Sequence, residues 1–274
     1  MLDNKLFKGG TDITEPKDDN VFLWKYFDIH RFIYLITEQK LFFTRLDKFD
    51  DPFEGISTSF LRREALFSTM QFRENHSIII SPEEQDKDID TQFKVHEYLK
   101  KSNLHNKQNR QYVNCWFTCE RESMAMWNIY SNPDSVAVKL DFKKYKEKLI
   151  ESFDKFISKN GYRLSIIGDE ITYLKLNPFD ISTEKQKLKY SAMKKDVSFA
   201  YEKEFRFLIY TNDLDKKPIS FQIPLDLNEF ELTVITHPNM ENWKVLNIRK
   251  LIKLCNLNIT VVKSSTMLRT KNHV

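Results

Sequence analysis

The sequence predicts an α+β fold, a single domain whose mixed or split, mainly antiparallel sheet carries peripheral helices. Three observations predict it. Short apolar or alternating runs such as 112–118, 135–142 and 219–223 are bounded by turn residues and read as strands. Stretches of helical period, clearest over 143–159, fall among them in an α+β order. No internal repeat and no linker asks for a cut between domains, which leaves a polar leader over 1–20, one domain over 21–266 and a tail over 267–274.

The elements follow in order. Residues 1–20 are polar and contain Gly9, Gly10 and Pro16, the composition of a poorly ordered leader. Val21 to Tyr26 reads as a strand, and Asp28 caps a helix on which Ile29, Phe32, Ile33 and Ile36 recur at helical spacing. Leu41 to Thr44 is a strand, Asp50 to Glu54 a proline-containing turn, and 58–72 a further helix. Ser81 to Asp90 is charged and aperiodic, a loop before a helix over 92–100. Tyr112 to Thr118 is a buried strand, Ser123 to Tyr130 a short helix, and Ser135 to Phe142 an alternating strand. The stripe Tyr145, Leu149, Ile150, Phe153, Phe156 and Ile157 makes 143–159 an amphipathic helix that Gly161 ends. Arg163 to Leu174 is a strand or hairpin, and Thr183 with Gln186 forms a capping box for a helix reaching Lys195. Strands over 201–210, 219–223, 232–236 and 258–263 and a helix over 243–255 complete the chain.

Composition excludes several chemistries. Only 5 of 274 residues are Gly, against 22 Phe and 11 Tyr, and neither a Gly-x-Gly-x-x-Gly turn nor a Gly-Lys-Ser/Thr loop can be written. The net charge of +4 is too balanced to imply nucleic acid or an anionic membrane from bulk charge, so any such surface is local. Lys100 to Arg110 and Lys185 to Lys195 are the candidates, partly opposed by the acidic run 83–90. Charge runs of this kind are commonly solvated faces. Three cysteines, no export signal and no apolar stretch of membrane-crossing length describe a reduced, cytoplasmic chain with no membrane partner. Cys115 and Cys119 are four apart and the six His show no paired spacing, so no metal site is expected. Ser191-Ala192-Met193-Lys194 matches a Ser-x-x-Lys pattern without its partner motifs and carries nothing.

The run Tyr201-Glu202-Lys203-Glu204-Phe205-Arg206-Phe207 is the most informative segment. Read as a strand, it puts Glu202, Glu204 and Arg206 on one face and its aromatics on the other. Charges beside a core strand are costly unless they pair or are used. Either Arg206 neutralises the glutamates as a structural pair, or the carboxylates do chemistry.

Four segments taken together are more specific. They are Leu23-Trp24-Lys25-Tyr26; Phe49-Asp50-Asp51-Pro52-Phe53-Glu54; Cys115-Trp116-Phe117-Thr118 with Met126-Trp127-Asn128-Ile129-Tyr130; and Lys195 and Phe199 ahead of Tyr201 to Arg206. In this order the chain resembles, from about residue 23 to 265, the bacterial family catalogued as domain of unknown function 2971. Phe27 stands where that family often has Arg, Asp50 replaces Asn, Thr118 replaces Ser, Phe199 replaces Trp and Ser135 replaces Gly. The layout is also similar to that of ADP-ribosyltransferases, in which NAD lies in the cleft of a split sheet and a late Glu stabilises an oxocarbenium-like transition state.

That resemblance implies an enzyme that uses NAD to modify a macromolecular acceptor, nucleic acid or protein, as a toxin or defence effector. Glu204 would be the catalytic carboxylate and Glu202 the accessory one. Lys25, Tyr26, Thr118, Trp127, Tyr130 and Arg206 would contact the dinucleotide, Trp127 or Tyr130 by stacking. His30 and Arg31, just past the first strand, are weaker substitutes for its usual Arg or His. The bland readings are that Trp127 and Tyr130 are core, Asp51 and Glu54 turn acids, and Thr118 a plain strand former. Two other functions stay open: a non-catalytic nucleic-acid or protein recognition module using the basic patches, and a magnesium-dependent nucleic-acid hydrolase using Asp51, Glu54, Glu202 and Glu204.

Overall fold

A computed structural model describes residues 10–18, 22–49, 54–55, 108–175, 190–211 and 217–266. In chain order the elements are β1 (Thr11–Ile13), β2 (Phe22–Phe27), α1 (Ile29–Glu38), β3 (Lys40–Arg45), β4 (Gln111–Cys119), α2 (Met124–Tyr130), β5 (Val136–Asp141) and α3 (Phe142–Asn160). There follow β6 (Leu164–Glu170), β7 (Thr172–Leu174), β8 (Lys194–Asp196), β9 (Glu204–Thr211), β10 (Ser220–Pro224), β11 (Thr233–Thr236), α4 (Asn242–Leu254) and β12 (Thr260–Lys263).

Among the described residues ten strands form one sheet in the order β1-β6-β9-β4-β2-β5-β11-β12, with β3 paired to β4 and β10 paired to β3. Only the outer pairs β1/β6 and β11/β12 are parallel. The expected split has a definite place. Along one edge β4 pairs with β9 from Gln111 to Phe117. Its other edge is shared, with Tyr112 and Val113 taking β3 and Phe117 to Cys119 taking β2. At the fork the Asn114 amide Nδ2 donates to the Phe42 carbonyl at 2.6 Å.

One face of the sheet carries the long helices α3 and α4. Phe205, Phe207 and Ile209 of β9, Tyr112 and Trp116 of β4 and Val136, Val138 and Leu140 of β5 pack against Phe142, Tyr145, Leu149 and Phe153 of α3 and Val245, Ile248 and Ile252 of α4. Each fully buried side chain of this size contributes about 1.5–3 kcal/mol. Two helix ends agree with the sequence, Asp28 capping α1 through its carboxylate and Gly161, at φ 68°, taking the left-handed position that closes α3; Asp141, expected only as a strand residue, also caps α3, which begins at Phe142.

The opposite face carries two smaller apolar clusters, one around Leu46, Val113, Ile167 and Leu208 and one around Trp24, Trp127, Ala137 and Ile235. By alternation it also receives Cys115 of β4 and Glu204 and Arg206 of β9.

Several expectations are corrected. The strand expected over 201–210 begins only at Glu204, because Val197–Glu202 forms a 3₁₀ turn capped by Asp196 and closed by Lys203 in the left-handed region at φ 46°. Tyr201 is therefore 48% exposed instead of sharing the core face of Phe205. Lys195 lies in β8 and not at the end of a helix; the capping-box residues Thr183 and Gln186, like the expected elements over 58–72, 81–90 and 92–100, lie outside the described residues. Arg163 to Leu174 divides between two sheets, since β7 pairs in parallel with β8. Part of the leader is a strand: Thr11–Ile13 pairs with Ile166–Gly168. Gly168 permits this approach, because a Cβ there would meet Ile13 Cγ2 at 2.7 Å.

Candidate functional site

The site is a buried charge network at the start of β9, on the face opposite the long helices. Arg206, 1% exposed, donates from Nε and Nη2 to the two oxygens of Glu204 at 2.7 and 3.0 Å. Its Nη1 donates to Glu54 and to the Ala192 carbonyl at 2.7 Å. A bidentate guanidinium–carboxylate pair is among the stronger charge-assisted arrangements. Burial opposes the charge on Glu204, yet Arg206 and Lys195 hold its carboxyl below the usual carboxylate range. Burial likewise opposes the Arg206 charge, and Glu204 with Glu54 more than offsets it. The Tyr173 hydroxyl accepts from the Glu204 backbone N–H at 2.8 Å and fixes the first residue of the strand.

Glu202 returns to this network by a different route. The 3₁₀ turn folds it back so that the Lys195 ammonium donates to Oε2 at 2.7 Å and lies 3.8 Å from Glu204 Oε2. The Tyr130 hydroxyl donates to Glu202 Oε1. Lys195 Nζ also sits 4.4 Å from the Phe199 ring centroid, a cation–π contact. The two glutamates are thus both buried but differently bound. Glu204 is locked to Arg206, whereas Glu202 is held by Lys195 and by Tyr130, a residue 40% exposed.

The remaining expected contacts are only partly assembled. The Thr118 hydroxyl donates to the Lys203 carbonyl at 2.7 Å and so serves the turn between the glutamates. Tyr26 packs edge-on against Trp127 at 4.8 Å, and its hydroxyl accepts from the Ser123 N–H at 3.2 Å. Trp127 is fully buried between Tyr26 and His237, with Nε1 donating to Glu122 at 2.9 Å, so it is core and offers no face for stacking. Arg206 is enclosed and its donors are taken by protein acceptors. Of the proposed dinucleotide contacts, Tyr130 alone presents an exposed ring. His30 and Arg31 are exposed in the first turn of α1, where Arg31 pairs with Asp28.

Lys25 occupies the fork. It lies on β2 just past Trp24, where the ladder to β4 ends, with Nζ 5.4 Å from the Trp116 ring centroid and 5.9 Å from that of Phe27. Burial pulls its ammonium down to about 8 against the partial support of Cys115 and Glu204. Burial pushes the Cys115 thiol up, and Glu204 adds to the effect.

Lys195 has no assigned role in the sequence expectation; its one signal there is its place seven residues before Glu202, which an intervening turn has to close. Tyr173 carried no signal. For the hydrolase reading, the Arg206 guanidinium stands between Glu54 and Glu204, where a divalent cation would need to be, and Asp51 lies outside the described residues. Among the described residues no three His, Cys, Asp or Glu gather as metal ligands. The basic patches Lys100 to Arg110 and Lys185 to Lys195 fall largely outside the described residues.

No curated protein matches this chain. Solved structures of DarT from Thermus sp. 2.9 are similar over nearly the whole length. The complex with ADP-ribosylated ssDNA has 10% identity and a TM-score of 0.34, covering 92% of this chain and 97% of that one. The complex with carba-NAD+ has 9% identity and a TM-score of 0.33, covering 91% and 97%. No described helix is long and apolar enough to cross a membrane. Over residues 126–207, the stretch that carries Trp127, Tyr130, Lys195, Glu202, Glu204 and Arg206, the chain matches the family described as Protein of unknown function (DUF2971).

Proposed function

We propose that the protein is an NAD-consuming, ADP-ribosyltransferase-like enzyme acting on a macromolecular acceptor, with Glu202 as its working carboxylate and Glu204 as the buried partner of Arg206. The observation that carries this reading is the difference between the two acids. Both oxygens of Glu204 are bound by the enclosed Arg206, while those of Glu202 are bound one by Lys195 and one by the hydroxyl of the exposed Tyr130.

As substrate, NAD would supply an electrophilic ribosyl carbon, with nicotinamide leaving on the bonding electron pair. A carboxylate fixed in a low-dielectric setting stabilises the positive charge that develops on such a carbon. Glu202 has that setting, since it is 2% exposed and oriented from two sides. The residues around it fit the nicotinamide end: Tyr130 and Tyr201 are 40% and 48% exposed, and aromatic faces of this kind stack on flat heterocycles. Glu202 would then accept the proton of the attacking acceptor group.

The test is nicotinamide release from NAD by the purified protein. Glu202→Gln is expected to lower release by about 100-fold or more, the usual loss when a transition-state charge partner is removed. Its thermal unfolding should stay near that of wild type, because the amide can still accept from Tyr130 and Lys195 remains beside Glu204. Equal release by both proteins removes Glu202 from the chemistry. No release by wild type, with the fold intact, returns the protein to the recognition-module reading.

A further inference from the structure

α4 has two faces of different character. Val245, Ile248 and Ile252 are buried in the core. The outward face carries Trp243, Leu246 and Leu254 at 58%, 53% and 79% exposed, and Leu254 is the most exposed large apolar side chain among the described residues. At about 100° per residue, Trp243, Leu246, Lys250 and Leu254 fall within an arc of about 80°. Arg249 and Lys253 flank this arc on one side and Asn247 and Lys244 on the other.

Charge on the helix is one-sided. Residues 242–254 contain Lys244, Arg249, Lys250 and Lys253 and no acid, so this one helix carries +4, as much as the whole protein. Lys244 pairs with Asp134 at 2.6 Å, and Arg249 donates to the Val261 carbonyl at 3.1 Å. Among the described residues Lys250 and Lys253 make no ion pair. The nearest acid along the sequence is Glu241 before the helix, which accepts from Trp243 Nε1 and lies 4.0 Å from Lys244 Nζ. Lys263, at the end of the edge strand β12, reaches Asn242 and adds a further cation beside the first turn.

We propose that this face docks on an anionic phospholipid surface. A solvated helix face needs cations but not three large apolar side chains, and a polyanion such as nucleic acid has no use for Leu246 and Leu254. Apolar side chains interleaved with Lys and Arg, with Trp at one end, match the boundary between acyl chains and charged headgroups. The proposal is independent of the transferase reading, since the helix packs on the other side of the sheet from Glu202. The balanced bulk charge hides this surface.

The chain carries its own reporter. Of its 4 Trp, Trp24, Trp116 and Trp127 are 5% exposed or less, so Trp243 dominates any change in environment on binding. The purified full chain is mixed at low ionic strength with vesicles of phosphatidylcholine alone, or with phosphatidylglycerol as one lipid in four, and followed by flotation and Trp emission. Binding and a blue shift are expected on the anionic vesicles only, with the shift absent in Trp243→Phe. The double variants Lys250→Glu/Lys253→Glu and Leu246→Ser/Leu254→Ser keep the wild-type unfolding midpoint, because all four side chains are outward. The charge reversal weakens binding by about 25-fold or more. Equal binding to both vesicle types, no binding to either, or insensitivity to the charge reversal overturns the proposal. Binding of a single-stranded oligonucleotide through the same lysines, without vesicle binding, overturns it in favour of a nucleic-acid partner.

Discussion

Arg206→Met is expected to lower the unfolding free energy by about 3–5 kcal/mol, the usual cost of leaving buried charge without its partner. The guanidinium is enclosed and satisfies Glu204 twice, Glu54 once and the Ala192 carbonyl once. Methionine fills much of its volume but leaves the Glu54 and Glu204 carboxylates without the guanidinium, with Lys195 3.8 Å from Glu204. The loss should depend on pH. The Glu204 carboxyl is held below its ordinary value of 4.5, so its contribution is fully present above that value and is lost as pH falls through the folded-state value. The gap between variant and wild type should therefore narrow in acid, because the stranded Glu204 carboxylate takes up a proton. Urea unfolding at pH 7 and at pH 4 measures both quantities. A variant within 1 kcal/mol of wild type at pH 7 would show that the network contributes no net stability.

Lys25→Met should do the opposite and stabilise the protein at neutral pH. The folded state holds this amine at about 8, against 10.5 for a free lysine. Between those values the unfolded chain binds more protons than the folded one, so wild-type stability rises as pH rises through that window. Below pH 8 the full cost of a desolvated ammonium is present. A shift of this size corresponds to about 3 kcal/mol as an upper bound, reduced to about 1–2 kcal/mol for a half-buried side chain that solvent reaches. Methionine keeps the packing against Trp116 and Phe27 and removes the charge. The expected result is a gain at pH 7 that shrinks by pH 10. A stability difference that stays constant from pH 7 to pH 10 would mean that Lys25 does not titrate in that range. A lysine kept at such a cost in the fork of the sheet is the kind of residue that function retains.

Much of this was legible in the sequence because it follows from short-range pattern. The stripe from Tyr145 to Phe153, the cap Asp28, the closing Gly161 and the alternation of β5 depend on neighbours within a turn or two. The site was legible in its parts, since Glu202, Glu204, Arg206, Lys195 and Glu54 all stood in the quoted segments. What period-2 reading could not see was the left-handed Lys203, which breaks the run between the two acids. Nothing in a lysine signals positive φ, and the conformation is held from outside, by Thr118 bonding the Lys203 carbonyl through both its N–H and its hydroxyl. Trp127 was ambiguous because a short helix beside a sheet can turn an aromatic ring inward as well as out. The partner that decides it, His237, is far along the chain.

The forked strand β4 has a consequence for how the chain reaches its native state. Phe117 is paired on one side with Trp24 and on the other with Glu204, each roughly 90 residues away, so the centre of the sheet is closed almost entirely by distant segments. During synthesis the early strands β2 and β3 must wait for residues 111–119, and β4 must wait again for 204–211 before its second edge is covered. Until then a ribosome-bound intermediate exposes an apolar strand with a free edge, the type of species that chaperones bind and that aggregates when they are scarce. Slow, chaperone-dependent maturation is thus written into the connectivity, and it would appear as sensitivity of soluble yield to translation rate.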